Sequence, residues 1–197
     1  MIKLIFASRA DGLIGDNSKK FGLPWHIPED LEFFKSTIKG QDIIVGHKTY
    51  KMLPLKILKL VRRVFVVTTD VDLIANSTVD TTYISMESFE FLADDMWGTY
   101  YCIGGKSLID IILKKDLAVT IDHTNVISFE GQDSYNTISP DHVILETSKI
   151  WDTYGTTDLV YFEGFNIERV IERSHNDSPN QFLISHYVRQ RPSYERS

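Results

Sequence analysis

The sequence predicts an α/β fold, a mixed and mostly parallel central sheet with flanking helices and an antiparallel C-terminal hairpin, and three observations carry that expectation. Ile2 to Ala7 is apolar at nearly every position rather than alternating, which is how a strand covered on both faces reads. Asp42 to Val45, Arg63 to Thr69 and Thr99 to Ile103 are similar short runs rich in β-branched and aromatic residues, with helical periodicity between them. Beyond Lys115 the pattern turns to strands, at Val143 to Ile150, Asp158 to Phe162, Arg169 to Glu172 and Gln181 to Val188; such a run closing an α/β domain adds antiparallel strands at one edge.

Taken in order, the first helix opens at Pro28, because proline fits the first helical position and Glu29 and Asp30 complement the positive end of the dipole; Gly40 ends it. Leu31, Phe34 and Ile38 follow the spacing of a buried stripe, and Asp30 stands one turn from Phe34, so one acidic group borders an apolar face. A short second helix runs from His47 to Leu53 and stops at Pro54. The third, from about Met86 to Met96, has Phe89, Leu92, Ala93 and Met96 on one side, and the fourth, from about Lys106 to Lys115, groups Leu108, Ile109 and Ile112. Asp116 to Pro140 fits no element, Ser174 to Asn180 reads as a polar hairpin loop and Arg191 to Ser197 as a frayed end.

At 197 residues the chain suits a single domain spanning 1–197, which by the usual scaling buries roughly 70% of its unfolded surface. Hydrophobic, aromatic and charged fractions of 43%, 12% and 24% argue against disordered, collagen-like and low-complexity classes. The net charge, 21 − 27 = −6, argues against a grip on a nucleic-acid backbone, which needs a clustered basic face, so any bound nucleotide should be small. Cys102 is the only cysteine, which allows no intrachain disulfide and favours a reducing compartment. Runs such as Val64 to Val67 and Val143 to Leu145 are far too short to span a bilayer, and Met1 to Ala10 reads as a strand rather than a signal peptide. No membrane partner is expected, the cytoplasm is the default location, and oligomeric state is left open.

Two places share one local grammar, a buried strand running into glycine and then a helix start with cationic and hydroxyl residues: Ile43-Ile44-Val45-Gly46-His47-Lys48-Thr49 and Tyr101-Cys102-Ile103-Gly104-Gly105-Lys106-Ser107. Glycine admits a ligand to the backbone, free N–H groups at a helix start attract anions, and the pair together points to a ligand with more than one phosphate, such as a dinucleotide with its pyrophosphate on the two helix starts. The second string also matches the end of a P-loop, but the first glycine of that motif falls at Tyr100, whose bulk removes the phosphate-wrapping turn. Six histidines scattered without paired spacing predict no metal site, and Cys102, inside a predicted strand, reads as inert packing.

Leu23-Pro24-Trp25-His26-Ile27-Pro28-Glu29-Asp30-Leu31-Glu32-Phe33-Phe34-Lys35 is the most informative segment. It resembles the mark of the dihydrofolate reductase family, a loop reading roughly [LM]-P-W-x-[LI]-P-x-D/E-[LM]-x-x-F-[KR]. Around it, in family order, stand Ala7 in the opening strand, Ile14-Gly15 in the next loop, Gly46-His47-Lys48-Thr49-Tyr50 after the second strand, Arg62 before the third, and Ile103-Gly104-Gly105. The match covers about residues 1 to 112 well and the closing strands only loosely.

The resemblance implies reduction of 7,8-dihydrofolate to 5,6,7,8-tetrahydrofolate by a hydride from NADPH, supporting one-carbon metabolism and thymidylate and nucleotide synthesis, with antifolates as further ligands. It implies that Asp30 accepts paired hydrogen bonds from the pterin ring N–H and exocyclic amine, while the Ala10 to Trp25 loop closes and Leu23 and Trp25 seal it. Glu29 competes for the carboxylate role, but the motif puts Asp30 on the face of Leu31 and Phe34. Ile5, Ala7, Leu31, Phe34, Leu53 and Ile103 are expected to line the pterin and benzoyl pocket. Arg62 is expected to bind the α-carboxylate of the glutamate tail, with Arg63 as the alternative, and Thr147 to support the pterin through a shared water. For NADPH the resemblance implies Ala7, Ile14, Gly15, Gly46, His47, Lys48, Thr49, Thr68, Thr69, Gly104, Gly105, Lys106, Ser107 and Leu108, with His47, Lys48 and Thr69 nearest the 2′-phosphate. Residues from about 41 to 98 are expected to hold the adenosine end.

The chain departs from the family pattern at four places. Leu55 to Val61 replaces a proline- and glycine-containing turn, His47 stands where an arginine is common, Ile109 where a tyrosine is common, and Asp116 to Pro140 reads as an insertion relative to compact members. Two other readings stay open at this point. One is a riboflavin-pathway pyrimidine reductase, which shares the architecture but lacks the paired Trp25 and Asp30 loop; the other is a pterin- or nucleotide-binding structural subunit without turnover.

Overall fold

The computed structural model describes residues 1–78, 80–94, 98–137, 139–146, 150–152, 160–175 and 177–190. Its first half runs β1 (Ile2–Ser8), β2 (Leu13–Asp16), α1 (Pro28–Ile38), β3 (Asp42–Gly46), α2 (His47–Met52), α3 (Leu55–Leu58), β4 (Arg63–Val67), α4 (Val71–Ala75) and β5 (Thr81–Ile84). It continues with α5 (Met86–Asp94), β6 (Tyr100–Cys102), α6 (Lys106–Lys114), β7 (Ala118–Ser128), β8 (His142–Ile144), β9 (Ile150–Asp152), β10 (Val160–Phe162), β11 (Phe165–Arg173) and β12 (Gln181–Arg189).

The main sheet has eight strands in the order β11-β12-β7-β1-β6-β3-β4-β5. From β7 to β5 all neighbours are parallel, and the β12–β11 hairpin is added antiparallel at the β7 edge, as the sequence predicts. The central strands read as unbroken apolar runs because alternate residues meet different layers. Leu4, Phe6, Ile44 and Cys102 pack with Phe89, Leu108 and Ile112, whereas Ile5, Ile43, Val45, Val64 and Val66 pack with Ile38 and Ile57. A third cluster joins Trp25 and Ile27, in the segment before α1, to Leu13, Val126, Phe129, Tyr135, Phe182 and Ile184.

The structure corrects several expectations. The 116–140 stretch, which fits no element in the sequence, holds one: Ala118–Ser128 is β7, a long strand between β1 and β12, followed by a 3-10 turn at Gln132–Tyr135. Its sequence hides it because Asp122, His123, Thr124 and Asn125 are polar yet at most 7% exposed, so neither an apolar run nor a clean alternation shows. The Ala10 to Trp25 segment is not one loop, since β2 within it pairs antiparallel with β8. Inside Leu55 to Val61 lies α3, held by Ile57 at 2% exposure, and α4 is capped by the Asp70 carboxylate, which accepts from the backbone N–H groups of Asp72 and Leu73. The expected Val143 to Ile150 strand divides into β8 and the start of β9, while residues 147–149, the Met96 helix end and the 191–197 tail lie outside the described residues. No described helix is long and apolar enough to cross a membrane.

Candidate active site

Pro28 opens α1 without a side-chain cap, and Asp30 stands in its first turn. Across the gap, β7 pairs with β1 so that Thr124 lies beside Ala7, and the Thr124 hydroxyl donates a 2.6 Å hydrogen bond to Oδ1 of Asp30. As a residue Asp30 is half-buried, but its carboxyl is turned away from water. Desolvation outweighs the Thr124 hydrogen bond and pushes the Asp30 carboxyl up to about 6. Such a group exchanges a proton near neutrality and, once ionised, accepts paired N–H donors. Glu29 is exposed.

Beside Asp30 runs an apolar wall. Ile5 and Ile103 are buried in the second cluster, Phe34 and Leu53 pack against it, and Leu31 is half-buried. Trp25 is buried edge-on to Phe129 at 5.7 Å, with its indole Nε1 lacking an acceptor among the described residues. Leu23, two residues before it, is 44% exposed. The preceding segment is tied at its base: Asp16 N–H donates to the Gly22 carbonyl at 2.9 Å, and the Tyr135 hydroxyl donates to Asp16 at 2.6 Å.

Arg62 is not open to the apolar wall. Its Nε and Nη2 donate to the two Asp42 carboxylate oxygens at 2.7 and 2.6 Å, and Arg63 donates through the same two nitrogens at 3.2 and 2.5 Å. Burial alone would raise the Asp42 carboxyl, but the hydrogen bonds from Arg62 and Arg63 hold it down at about 2.

The two glycine motifs meet although they lie far apart in sequence. Gly46 N–H donates to the Gly104 carbonyl at 3.0 Å, joining the ends of β3 and β6. Gly104 and Gly105 have φ of +137° and +97°, and a Cβ on Gly105 would stand 3.1 Å from the Cα of Gly46, so both conformation and space demand glycine there. Thr49 borders the pair, within 3.7 Å of a Cβ built on either glycine, and Leu108 lies beneath Gly46. With Gly105 as its cap, α6 starts without a side-chain acceptor, leaving backbone N–H groups for an anion.

Nearby, Thr68 Oγ1 stands 3.5 Å from His47 Nδ1, while Lys48, Thr69 and Ser107 are exposed. Lys106 is already engaged, its Nζ donating to Asp110 at 3.1 Å and Glu146 at 2.5 Å. Ile14 packs against the first cluster, and Gly15 is crowded, since a Cβ there would meet the Gly22 carbonyl at 2.8 Å. This backbone-lined cradle fits the pyrophosphate of a dinucleotide.

A family model described as dihydrofolate reductase matches residues 1–158. The chain belongs to the dihydrofolate reductase family. The dihydrofolate reductase of Ureaplasma parvum is 30% identical over 152 residues, covering 69% of this chain and 92% of that protein. That of Bacillus subtilis is 45% identical over 53 residues, covering 27% of this chain and 30% of that one. In structure the chain is similar to dihydrofolate reductase from Enterococcus faecalis complexed with NADP(H) and RAB-propyl, with a TM-score of 0.67, 18% identity and 97% coverage of both chains. That likeness is one of fold.

Within the family's frame, Ile5, Ala7, Asp30, Phe34, Leu53 and Ile103 converge, as do Gly46, Thr49, Gly104, Gly105 and Leu108. Thr147 lies outside the described residues. The residue that sequence reasoning missed is Thr124, the hydroxyl that touches Asp30. Its signal, a threonine in a polar strand, becomes visible only when that strand is seen against β1. Ile109, where a tyrosine is common, is 1% exposed and belongs to the core.

Proposed function

We propose that this protein is an NADPH-dependent dihydrofolate reductase, with Asp30 as the pterin carboxylate. The observation that carries the reading is the Asp30 carboxyl at about 6, desolvated and bonded to Thr124 beside an apolar wall. NADPH, when bound, supplies the hydride. This chain's residues do the rest. The ionised Asp30 accepts two parallel hydrogen bonds from the pterin ring N–H and exocyclic amine, which fixes the ring face, and its negative charge favours the protonated pterin. Thr124 orients that carboxyl, while Ile5, Leu31, Phe34, Leu53 and Ile103 exclude water and strengthen the charge effect. Gly46, Gly104 and Gly105 let the pyrophosphate approach the backbone, with His47, Lys48, Thr68 and Thr69 toward the adenosine 2′-phosphate, and residues 41–98 serve as the adenosine-binding part of one domain. Arg62 binds the α-carboxylate of the glutamate tail.

The cofactor bound by the Enterococcus faecalis protein supports the same choice here, and its RAB-propyl complex supports antifolates as ligands. Family membership and the Trp25 and Asp30 loop disfavour the pyrimidine reductase reading. A free, buried Cys102, its thiol pushed up to about 12 by burial, is consistent with cytoplasmic residence. The deciding assay is loss of reduced-nicotinamide absorbance when dihydrofolate is added to protein and NADPH. Steady turnover is expected. Tight binding of both ligands without turnover would instead make the protein a binding subunit.

A further inference from the structure

We propose that Asp42 and Arg63 form a release device for Arg62: Asp42 parks the Arg62 guanidinium in the free protein, and Arg63 keeps Asp42 neutralised when Arg62 turns to the substrate's tail carboxylate. The inference rests on the reading of Arg62 as the tail-binding residue.

The geometry supplies the reason for two arginines where one would do. Asp42 is only 2% exposed, whereas the Arg62 and Arg63 side chains are 63% and 51% exposed. Each arginine makes the same side-on fork, Nε to Oδ1 and Nη2 to Oδ2, so a single carboxylate receives four hydrogen bonds and all of its accepting sites are filled. One fork neutralises a carboxylate; the second is redundant for charge. The two arginines are not equivalent, however. Arg63 is paired in register with Asp42, so both project from the same face of the sheet. Arg63 is braced there by Phe65, its guanidinium carbon 5.5 Å from the ring centre.

Arg62 stands one residue ahead of β4, in the bend that leads into it, and Val64, two residues on, packs with Leu53, Phe34 and Ile5. From that bend at the strand end its guanidinium reaches Asp42. At that end the Arg62 N–H donates to the Gln41 carbonyl and the Gly40 N–H to the Leu60 carbonyl, which sets Arg62 beside the C-terminal end of α1. Asp30 stands at the other end of that helix, whose 11 residues span about 16 Å. A substrate lying along α1 therefore delivers its carboxylate to the place from which Arg62 is drawn away. With Arg63 present, Arg62 can leave without stranding a buried charge; without Arg63, Arg62 is the sole counter-charge and leaving is penalised.

The test measures dissociation constants for dihydrofolate and for a reduced pterin lacking the glutamate tail, in wild type and four variants. Arg62→Leu should weaken dihydrofolate and leave the tailless pterin alone. Arg63→Gln should weaken dihydrofolate about tenfold, again without touching the tailless pterin, because Arg62 is now held. Asp42→Asn should tighten dihydrofolate severalfold, and in Asp42→Asn with Arg63→Gln the loss should disappear, since a neutral asparagine with one accepting oxygen offers neither the charge nor the fork that holds an arginine. If Arg63→Gln alone does not fold, the last two variants still decide, because neither leaves a buried charge unpaired. A wild-type affinity in Arg63→Gln, or weakened dihydrofolate binding in Asp42→Asn, overturns the device and makes Asp42 a plain support for Arg62. An Arg62→Leu variant that binds both ligands normally overturns the underlying reading instead, and a loss confined to Arg63→Gln in every background makes Arg63 the tail anchor.

Discussion

Replacing Asp30 by asparagine should make the protein a poorer enzyme and a more stable fold. The carboxyl is lifted from 3.8 to about 6 by desolvation, against the opposing hydrogen bond from Thr124. An acid whose folded value exceeds its unfolded value destabilises the fold once it ionises: nothing is lost below about pH 4, the loss grows through pH 6, and it is complete above. At roughly 1.36 kcal/mol per unit, the full loss is about 3 kcal/mol. The asparagine amide oxygen would still accept the Thr124 hydroxyl, but the side chain would never ionise. At pH 7, Asp30→Asn should therefore raise stability by up to about 3 kcal/mol, or roughly 6–12 °C in Tm for a domain of this size. At pH 4 the two proteins should match. Among the described residues the other carboxyls with shifts, Asp11, Asp16, Asp42 and Glu146, are lowered, so they weaken the fold only below about pH 4 and cancel in the comparison. Meanwhile kcat at neutral pH should fall by on the order of 10² or more, recovering partly in acid. Thermal melts from pH 4 to 8, without ligands, test the first claim and steady-state reduction of dihydrofolate the second. Parallel melting profiles would refute the desolvated carboxyl, and a rate within about threefold, under roughly 0.7 kcal/mol, would refute its catalytic role.

Three further outcomes follow from the same geometry. Thr124→Val removes the hydrogen bond that, among the described residues, opposes desolvation of Asp30, so the ionisation seen in the pH–rate profile should move further above 6 while the β-branched shape is kept. An unmoved profile would separate Thr124 from the reacting carboxyl. Gly105→Ala places a Cβ 3.1 Å from the Gly46 Cα at a φ of +97°, which should cost about 1–3 kcal/mol of stability and weaken NADPH binding more than dihydrofolate binding, read by melting and titration. His47→Gln combined with Lys48→Gln should erase most of the preference for NADPH over NADH, measured as a ratio of kcat/KM values; a retained preference would assign the 2′-phosphate to Thr68, Thr69 and backbone N–H groups.

The sequence by itself determined the sheet and its helices wherever one residue type had one job. Ile2 to Ala7 and Arg63 to Thr69 are legible because both faces of those strands are apolar, and α1 because Pro28, Glu29 and Asp30 obey the rules of a helix start. The Trp25 to Lys35 motif fixed the family for the same reason, as it is local and contiguous. Tertiary structure alone decided what depends on partners distant in sequence. β7 became a strand because β1 and β12 satisfy its backbone while Asp122 and Thr124 find His186 and Asp30, so its polarity, which looks like a loop in one dimension, is satisfied in three. Gly46 and Gly105 became one cradle only because β3 and β6 are neighbours in the sheet. Arg62, read from its position as the anchor of a substrate carboxylate, proved to be paired with the buried Asp42, which Arg63 shares, because a desolvated carboxylate takes whatever donors the fold brings within reach.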